Sequence, residues 1–302
     1  MGHTHHHHHH HERSGKNLLI SILLNIAITV AQVIGGIISG SLALLSDALH
    51  NFSDVLSLII SYLANRFTTK RASSKRTFGY KRAEIMAAFV NSATLIVIAI
   101  ILIKEAVERF FQPEPITPAL VIWLSALGIA ANGFSVLLIK KDAESNMNMK
   151  SAYLHLLTDM MASVAVLLGG ILMYFYQLFW IDPVLTIAIG LYLIYMGYDL
   201  LKSSTKVLML FTPDQIEVDN MVREISENPA IKNMHHVHLW QLNEQEIHLE
   251  AHIDFHENIS IQEFDCILKD IEERVYHNYG ITHVSIQPEF GKCHSHQVIV
   301  QD

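Results

Sequence analysis

The sequence predicts an α-helical membrane protein with six transmembrane helices, followed by a cytoplasmic α+β domain. Two observations predict this fold class. Only 17% of the 302 residues are charged, whereas about a quarter of the residues of a soluble domain carry a charge. The uncharged residues also lie in long blocks, such as 17–46 and 116–139, and a helix needs roughly 20 apolar residues to cross a bilayer.

Six segments have the length and composition of a membrane span. The first is too long for the apolar part of a signal peptide and is followed by no cleavage pattern, so we expect it to be retained. The predicted spans are 17–39, 42–65, 84–110, 117–140, 150–176 and 182–202.

The positions of Lys and Arg predict the orientation. They cluster in residues 66–82 and 140–150, whereas the loops on the opposite side, 39–41, 111–116 and 177–181, contain none. Basic loops remain on the cytoplasmic side of a membrane, so both termini are expected in the cytoplasm. We interpret the basic loop as a topology signal and expect no nucleic acid as a partner.

The second and fifth predicted helices carry the same polar pattern, His50 with Asp54 and His155 with Asp159. Residues four apart share one face of a helix. Ionisable side chains inside membrane helices are costly and usually mark an ion pathway. Two imidazoles and two carboxylates supply the four ligands of a tetrahedral zinc ion, so we predict a metal site between these helices.

Such a site can exchange a metal ion for protons. Metal binding needs neutral imidazoles and ionised carboxylates, so metal and protons compete for the same groups. Asp47 lies on the same helix face as His50 and Asp54. It is either a supporting residue behind the ligands or a cap near the end of the helix, and the sequence leaves both interpretations open.

Residues 203–302 carry most of the acidic excess of the chain and predict a soluble domain of order α-β-β-α-β. Thr212 and Pro213 indicate the start of its first helix, which should extend to about Glu227. Ser260 begins the second helix through a capping box with Glu263, and Gly280 ends it. The predicted strands are 231–242, 246–256 and 281–288.

Alternation along these strands separates an apolar face from a polar one. The apolar face should lie under the helices and comprises Val237, Leu239, Leu249, Ala251, Ile253, Val284 and Ile286. The polar face is rich in histidine, which favours a zinc site over solvated or interface histidines. It comprises His236, His238, Trp240, His248, Glu250, His252, Asp254, His283, Ser285, Gln287 and Glu289.

Two features near the ends of the chain add little to the fold. The cysteines Cys266 and Cys293 both fall in the cytoplasmic part, where a disulfide is not expected. Residues 5–11 are seven consecutive histidines. They are either an expression tag or a native tail that captures metal, and the sequence leaves this open.

Five segments together resemble the cation diffusion facilitator family, above all its bacterial cobalt–zinc–cadmium efflux proteins and zinc transporters. They are SGSLALLSDALHNFSD, TFGYKRAEIMAA, SAYLHLLTDM, HHVHLW and ITHVSIQPE. The resemblance implies a homodimer in the bacterial inner membrane that exchanges a divalent metal for protons by alternating access, with a ferredoxin-like cytoplasmic domain. The expected regions are an N-terminal tail 1–16, a membrane domain 17–205, a cytoplasmic metal-binding and dimerisation domain 206–290 and a C-terminal tail 291–302.

The resemblance also implies ligands. The transport site matches His50, Asp54, His155 and Asp159, a combination associated with zinc. The cytoplasmic ligands match His238, His252 and Glu289, with His248 as a further candidate, so Zn2+ is expected both as substrate and as a structural or regulatory ion. The chain departs from some relatives in two places. Loop 66–82 has no Asp or His, so we expect no metal there, and Gln287 leaves the number of cytoplasmic metals open.

The expected function is therefore that of a secondary transporter, not an enzyme, which exports Zn2+ from the cytosol. The same antiport with Cd2+, Co2+ or Fe2+ is an alternative, because the ligands do not exclude these ions. A membrane metal sensor is another, although it would not explain Asp54 and Asp159 within the membrane. An intramembrane zinc protease would need His-Glu-x-x-His, and the sequence contains no such motif.

Overall fold

The computed structural model of the protein describes residues 9–68, 73–143, 147–291 and 297–300. Part of the histidine run, part of the basic loop, and Cys293 lie outside these ranges. The described chain begins with six long helices, α1 (His9–Ser39), α2 (Leu42–Thr68), α3 (Ala83–Phe111), α4 (Pro118–Ala143), α5 (Met147–Tyr176) and α6 (Ile181–Leu208). It continues with α7 (Val218–Ile225), β1 (Ile231–Gln241), β2 (Ile247–Phe255), α8 (Ile261–Tyr279) and β3 (His283–Glu289).

Within the described residues, five helices are long and apolar enough to cross a membrane. These are the Ile22–Ser39 part of α1, all of α3, Pro118–Leu138 of α4, Tyr153–Tyr176 of α5, and α6. Large apolar side chains such as Ile37, Trp123, Leu137 and Phe175 are exposed on the helices, which suits contact with lipid. A helical membrane domain is thereby confirmed. Because α2 is not among the five, six spans remain a prediction.

The chain divides into two compact units. The first contains the helical chain up to Tyr62 and from Val90 to Leu201, and the second contains Leu63–Phe89 and the chain from Lys202 onwards. In the first unit, α4 packs against both α1 and α5. Its apolar core is formed by Ala43, Leu44, Val121, Val166 and Met173.

The junction between α1 and α2 fixes where α2 begins. Gly40 has a φ of 72°, the left-handed conformation in which glycine ends a helix. Ser41 caps α2 by accepting a hydrogen bond from the Leu44 amide at 3.1 Å. The Asp182 carboxylate on α6 accepts hydrogen bonds from the Leu42 amide at 2.9 Å and from the Ser41 hydroxyl. The first turn of α2 is therefore tied to α6.

The second unit contains a three-stranded sheet of order β1-β2-β3. β1 and β2 are antiparallel, while β2 and β3 are parallel and are connected through α8, as a parallel pair requires. Met221 of α7, Ile271 and Val275 of α8, and Leu249 and Ile253 of β2 share one apolar core. The order α-β-β-α-β is confirmed, and a ferredoxin-like fold remains a prediction.

Local chemistry predicted the ends of α8 correctly but failed for α7. Ser260 and Glu263 form the expected capping box, and Gly280 ends α8 with a φ of 69°. The prediction of a helix beginning at Thr212 is wrong, because α7 begins at Val218. The Thr212 hydroxyl instead donates a hydrogen bond to the Leu239 carbonyl of β1 at 3.3 Å, so it is held by the sheet and caps no helix.

Alternation in β1 is interrupted by a bulge. His235 opposes His252 and His238 opposes Glu250, so β1 has one more residue than β2 over this stretch. His236 lies in the bulge with a φ of 52°. Since an extra residue shifts the alternation, His235 and His238 both take the polar face. His236 therefore departs from the regular spacing, although its ring still stacks on that of His252 at 4.6 Å.

Candidate metal sites

The two polar pairs predicted in the membrane helices face each other in the first unit. The His50 Nε2 atom is 3.8 Å from Asp54 Oδ2 and 3.5 Å from Asp159 Oδ1. The His155 Nε2 atom is 3.4 Å from Asp54 Oδ2 and 3.6 Å from Asp159 Oδ2. Each imidazole thus approaches a carboxylate of its own helix and one of the other helix.

These separations suit ligands of a shared ion. Two atoms that each lie about 2.0 Å from a tetrahedral ion are about 3.3 Å apart. Among the described residues, Asp54 Oδ2 and both carboxylate oxygens of Asp159 are buried without a hydrogen-bond partner. Bare buried carboxylate oxygens are costly, and a cation bound among the four side chains would satisfy them.

The four side chains differ in their access to solvent. The exposed fraction is zero for Asp159 and 12% for His50, but 26% for Asp54 and 43% for His155. A cavity of about 460 Å³ adjoins the site and is lined by His50, Asp54 and His155 together with side chains of α3 and α6. An ion would therefore enter from the side of His155 and Asp54, with Asp159 at the back.

Asp47 is only 1% exposed and lies beyond the four side chains towards the start of α2. It accepts hydrogen bonds from the Ser163 hydroxyl of α5 at 2.9 Å and from the Gln32 amide of α1 at 3.3 Å. It is therefore buried between three helices, which contradicts the interpretation as a cap at the helix end.

A second group of possible ligands lies on the polar face of the sheet. Glu289 Oε2 is 3.4 Å from His235 Nε2, and Glu289 Oε1 is 3.2 Å from His252 Nδ1. The ligand atoms of these three residues all lie within 4.8 Å of one another. Gln287 donates a hydrogen bond to Glu289 Oε1 at 2.7 Å, so it orients the carboxylate.

Sequence reasoning found two of these three residues, His252 and Glu289, and missed His235. The predicted ligand His238 lies outside the group, and its ring is 4.9 Å from that of His236. The bulge is the cause. A signal for it exists in the sequence, because the core residues Met234 and Val237 are three positions apart, whereas a regular strand would space them by two.

His248 lies elsewhere on the same face. Its ring stacks on that of Trp240 at 5.5 Å and lies 4.7 Å from the ring of His283. His248 is four residues from His252 along β2, which corresponds to about 13 Å. Burial lowers the pKa of His248 below its ordinary value, and the neighbouring His283 acts in the same direction. The structure does not bring His248 into the group of three.

The end of the chain is paired with the bulge. The amides of His236 and Val237 donate hydrogen bonds to the carbonyls of Gln297 and Val298, at 3.4 and 2.8 Å. The Val298 side chain packs against the apolar core of the second unit. These contacts hold the backbone that places His235 opposite His252.

Comparison with known families assigns both units. The family described as the cation efflux transmembrane domain matches residues 18–209, and the cytoplasmic domain of cation efflux proteins matches residues 213–290. The chain belongs to the cation efflux family. This confirms the resemblance recognised in the sequence, and it assigns this cation efflux protein to a family of transporters.

Curated relatives are similar over almost the whole chain. A cadmium, cobalt and zinc/H(+)-K(+) antiporter of Bacillus subtilis (strain 168) is 36% identical over 298 residues, which cover 98% of this chain and 94% of the relative. The metal cation efflux system protein CzcD of Cupriavidus metallidurans is 33% identical, covering 97% and 91%. The zinc transporter ZitB of Escherichia coli (strain K12) is 31% identical, covering 97% and 93%.

Proposed function

We propose that this cation efflux protein is a proton-coupled antiporter that exports Zn2+ from the cytosol. The substrate ion is held between α2 and α5 by His50, Asp54, His155 and Asp159. The observation that carries the proposal is that each imidazole lies 3.4 to 3.8 Å from carboxylates of both helices. The ligand atoms of His50, Asp54 and Asp159 all lie within 4.8 Å of one another, and His155 lies beside this group. The buried oxygens of Asp54 and Asp159 lack hydrogen-bond partners among the described residues. Relatives named as zinc transporters support the choice of ion.

The same four groups provide the exchange with protons. A bound ion requires neutral imidazoles and ionised carboxylates, so its arrival releases protons and its departure allows them to return. A site that is open to one side of the membrane at a time therefore moves metal outwards and protons inwards. No step in this scheme needs a metal ion other than the substrate.

The position of the cavity supports an assignment of the open side. It is lined by residues in the first halves of α3 and α5 and from the middle of α6 onwards. These parts of the three helices lie towards the basic segments of the sequence, which favour the cytoplasmic side. We therefore assign the structure to an inward-open state in a bacterial inner membrane, with both termini in the cytoplasm.

We further propose that the cytoplasmic domain holds a resident Zn2+ through His235, His252 and Glu289. The donor set suits zinc, and the side chains of His235 and Glu289 are only 6% and 2% exposed. The ion would join the middle of β1 and of β2 to the end of β3 and so stiffen the domain, which we expect to form the contact of a homodimer. The residues of the polar face thus serve structure or regulation, and the membrane site serves transport.

A second candidate substrate is Cd2+ or Co2+. The Bacillus subtilis relative is named as an antiporter of cadmium, cobalt and zinc, and the Cupriavidus metallidurans relative is named for efflux of metal cations. Nitrogen and oxygen ligands also accept Co2+ and Fe2+. Uptake of Zn2+, Cd2+, Co2+ and Fe2+ by proteoliposomes under one fixed pH gradient would rank them. A membrane sensor would bind metal in this assay without moving it.

The decisive experiment measures Zn2+ uptake and proton movement together in proteoliposomes. The wild-type protein should exchange the two, and Asp159→Asn should abolish the exchange while the protein still folds. Asp219→Asn is the matched control, because Asp219 is an exposed carboxylate on α7, and it should transport normally. Full exchange by Asp159→Asn would contradict the proposed site.

A further inference from the structure

α2 and α5 contact each other through three successive pairs of polar side chains. The pairs are Asp54 with His155, His50 with Asp159, and Asp47 with Ser163. Successive pairs are three or four residues apart on both helices, so all three lie along one face of each helix. The first two pairs contain the proposed metal ligands. In the third, the Ser163 hydroxyl donates a hydrogen bond to Asp47 Oδ2 at 2.9 Å.

The third pair is the most enclosed of the three. Asp47 and Ser163 are 1% and 0% exposed, whereas Asp54 and His155 border the cavity. A serine hydroxyl is not among the usual ligands of zinc, and here it already donates its hydrogen to the carboxylate. The third pair therefore joins the two helices and is no part of the ligand set.

Two neighbouring helices pack against this pair. The Gln32 amide of α1 donates to the same oxygen, Asp47 Oδ2, at 3.3 Å, and Asn51 of α2 donates to Gln32 Oε1 at 3.4 Å. Gly128 of α4 packs against both donors to Asp47, since a Cβ atom there would lie 2.7 Å from Gln32 Nε2 and 3.4 Å from Ser163 Oγ. Such close packing from α1 and α4 limits how far the pair can rearrange.

The separation of α2 and α5 at this pair bears on the size of the bound ion. His50 lies one turn from Asp47, and Asp159 lies one turn from Ser163, so a separation fixed at one pair is carried into the next. The nitrogen–oxygen distances of 3.4 to 3.8 Å among the ligands are close to the spacing of about 3.3 Å around a tetrahedral zinc ion. A larger ion such as Cd2+ forms longer bonds and needs wider spacing.

We propose that Asp47 and Ser163 are positioning residues that set the separation of α2 and α5 to favour Zn2+ over larger divalent ions. Their hydrogen bond holds the helices at a distance at which the four ligands enclose a small ion and crowd a large one. The scaffold then supplies the selectivity, since the ligand types alone do not exclude Cd2+. The selectivity rests on the proposed function, whereas the pairing of the two side chains does not.

Uptake of Zn2+ and Cd2+ by proteoliposomes tests the selectivity. Ser163→Ala removes the donor, so the ratio of kcat/KM for Zn2+ to that for Cd2+ should fall by about tenfold, mainly through a higher KM for Zn2+. This is the lower end of the effect of residues that support metal ligands. Ser125→Ala is the matched control, because the Ser125 hydroxyl is equally buried but has no hydrogen-bond partner among the described residues. An unchanged ratio in Ser163→Ala would overturn the proposal.

Two substitutions of Asp47 separate positioning from a direct effect of its charge. Both hydrogen bonds reach Asp47 Oδ2, and Oδ1 has no partner among the described residues. Asn therefore retains an oxygen for both bonds, whereas Ala retains none. Asp47→Asn should keep the wild-type ratio, and Asp47→Ala should lower it as much as Ser163→Ala does. Equal losses in Asp47→Asn and Asp47→Ala would show that the charge acts, and not the hydrogen bond.

A double-mutant cycle in the metal-free, full-length protein tests the pairing without reference to transport. Because Asp47 and Ser163 share a hydrogen bond, the fall in unfolding temperature on combining Asp47→Ala with Ser163→Ala should be smaller than the sum of the two single falls. Additive falls would overturn the proposal. If the wild type transports no Zn2+, the proposed function fails instead, and this cycle still decides whether the pair joins α2 to α5.

Discussion

The two candidate metal sites use the same chemistry in opposite ways. Both join histidines to carboxylates at 3.2 to 3.8 Å. In the membrane, His155 and Asp54 are 43% and 26% exposed and border a cavity. On the sheet, His235 and Glu289 are 6% and 2% exposed, and His252, the most exposed of the three, reaches 22%. An open site suits an ion that must leave, whereas a closed site suits an ion that stays.

The largest effect is expected from removing a ligand of the membrane site, which should stop Zn2+ transport but leave Zn2+ bound in the cytoplasmic domain. We expect His155→Ala to reduce Zn2+ transport by at least about 100-fold. Loss of a residue that only hydrogen-bonds to a metal ligand already costs about 10- to 100-fold in metal affinity or activity, and loss of a ligand itself should cost more. Proteoliposome uptake measures this, and the cytoplasmic zinc should remain. His277→Ala, which changes an exposed histidine of α8, is the control and should transport normally. Normal uptake by His155→Ala would remove the distinction between the sites.

Removing a ligand of the site on the sheet should leave Zn2+ binding at the membrane site intact. Glu289→Gln should lose the cytoplasmic ion and with it the part of the zinc-dependent rise in unfolding temperature that this ion causes, while the part caused by the transport site remains. At a hundredfold excess over the dissociation constant, binding to the folded state stabilises it by about 2.7 kcal/mol. Differential scanning fluorimetry with and without Zn2+ measures the rise. Glu272→Gln, which changes an exposed residue of α8, should keep the full zinc-dependent rise. A full rise in Glu289→Gln would show that the sheet does not hold zinc.

A smaller effect should follow from loosening the end of the chain. Val298→Asp places a charge against the apolar core and should weaken cytoplasmic zinc binding by about tenfold, since His235 depends on a bulge that these residues hold. Calorimetric titration of the full-length protein measures the affinity. Ile299→Asp is the neighbouring control, because Ile299 is 67% exposed. Equal affinities in the two variants would show that the bulge holds without this segment.

The smallest effect concerns pH. Because the pKa of His248 is lowered in the folded protein, the unfolded chain binds a proton more readily in the range below about pH 6.5. Stability should therefore fall as the pH falls through that value. Unfolding temperatures across this range should decline less steeply for His248→Gln than for the wild type. His277→Gln should follow the wild type, and identical slopes in all three proteins would exclude His248 as a contributor.

The comparison also explains what the sequence could predict. The membrane site follows from local periodicity, because residues four apart on a helix share a face whatever surrounds them. The caps at Ser260 and Gly280 are local for the same reason. The sheet site depends on pairing with distant residues. Thr212 bonds to Leu239, and the bulge at His236 is held by residues more than 60 positions away. Apart from the three-residue spacing of Met234 and Val237, no local pattern marks these contacts, and strict alternation therefore missed His235.

The amides of Leu42 and Ala43 donate hydrogen bonds to the Asp182 carboxylate, which fixes the start of α2. If such a helix tilts around its fixed end, the displacement of each residue grows with its distance from that end. A tilt of about 10° around Leu42 would carry Asp54, about 18 Å away, through about 3 Å, but would move Asp47, about 7.5 Å away, by only about 1.3 Å. Such a tilt would thus displace the ligands that border the cavity more than it displaces Asp47. Under the proposed function, a small tilt of α2 would release the ion without opening a continuous pore.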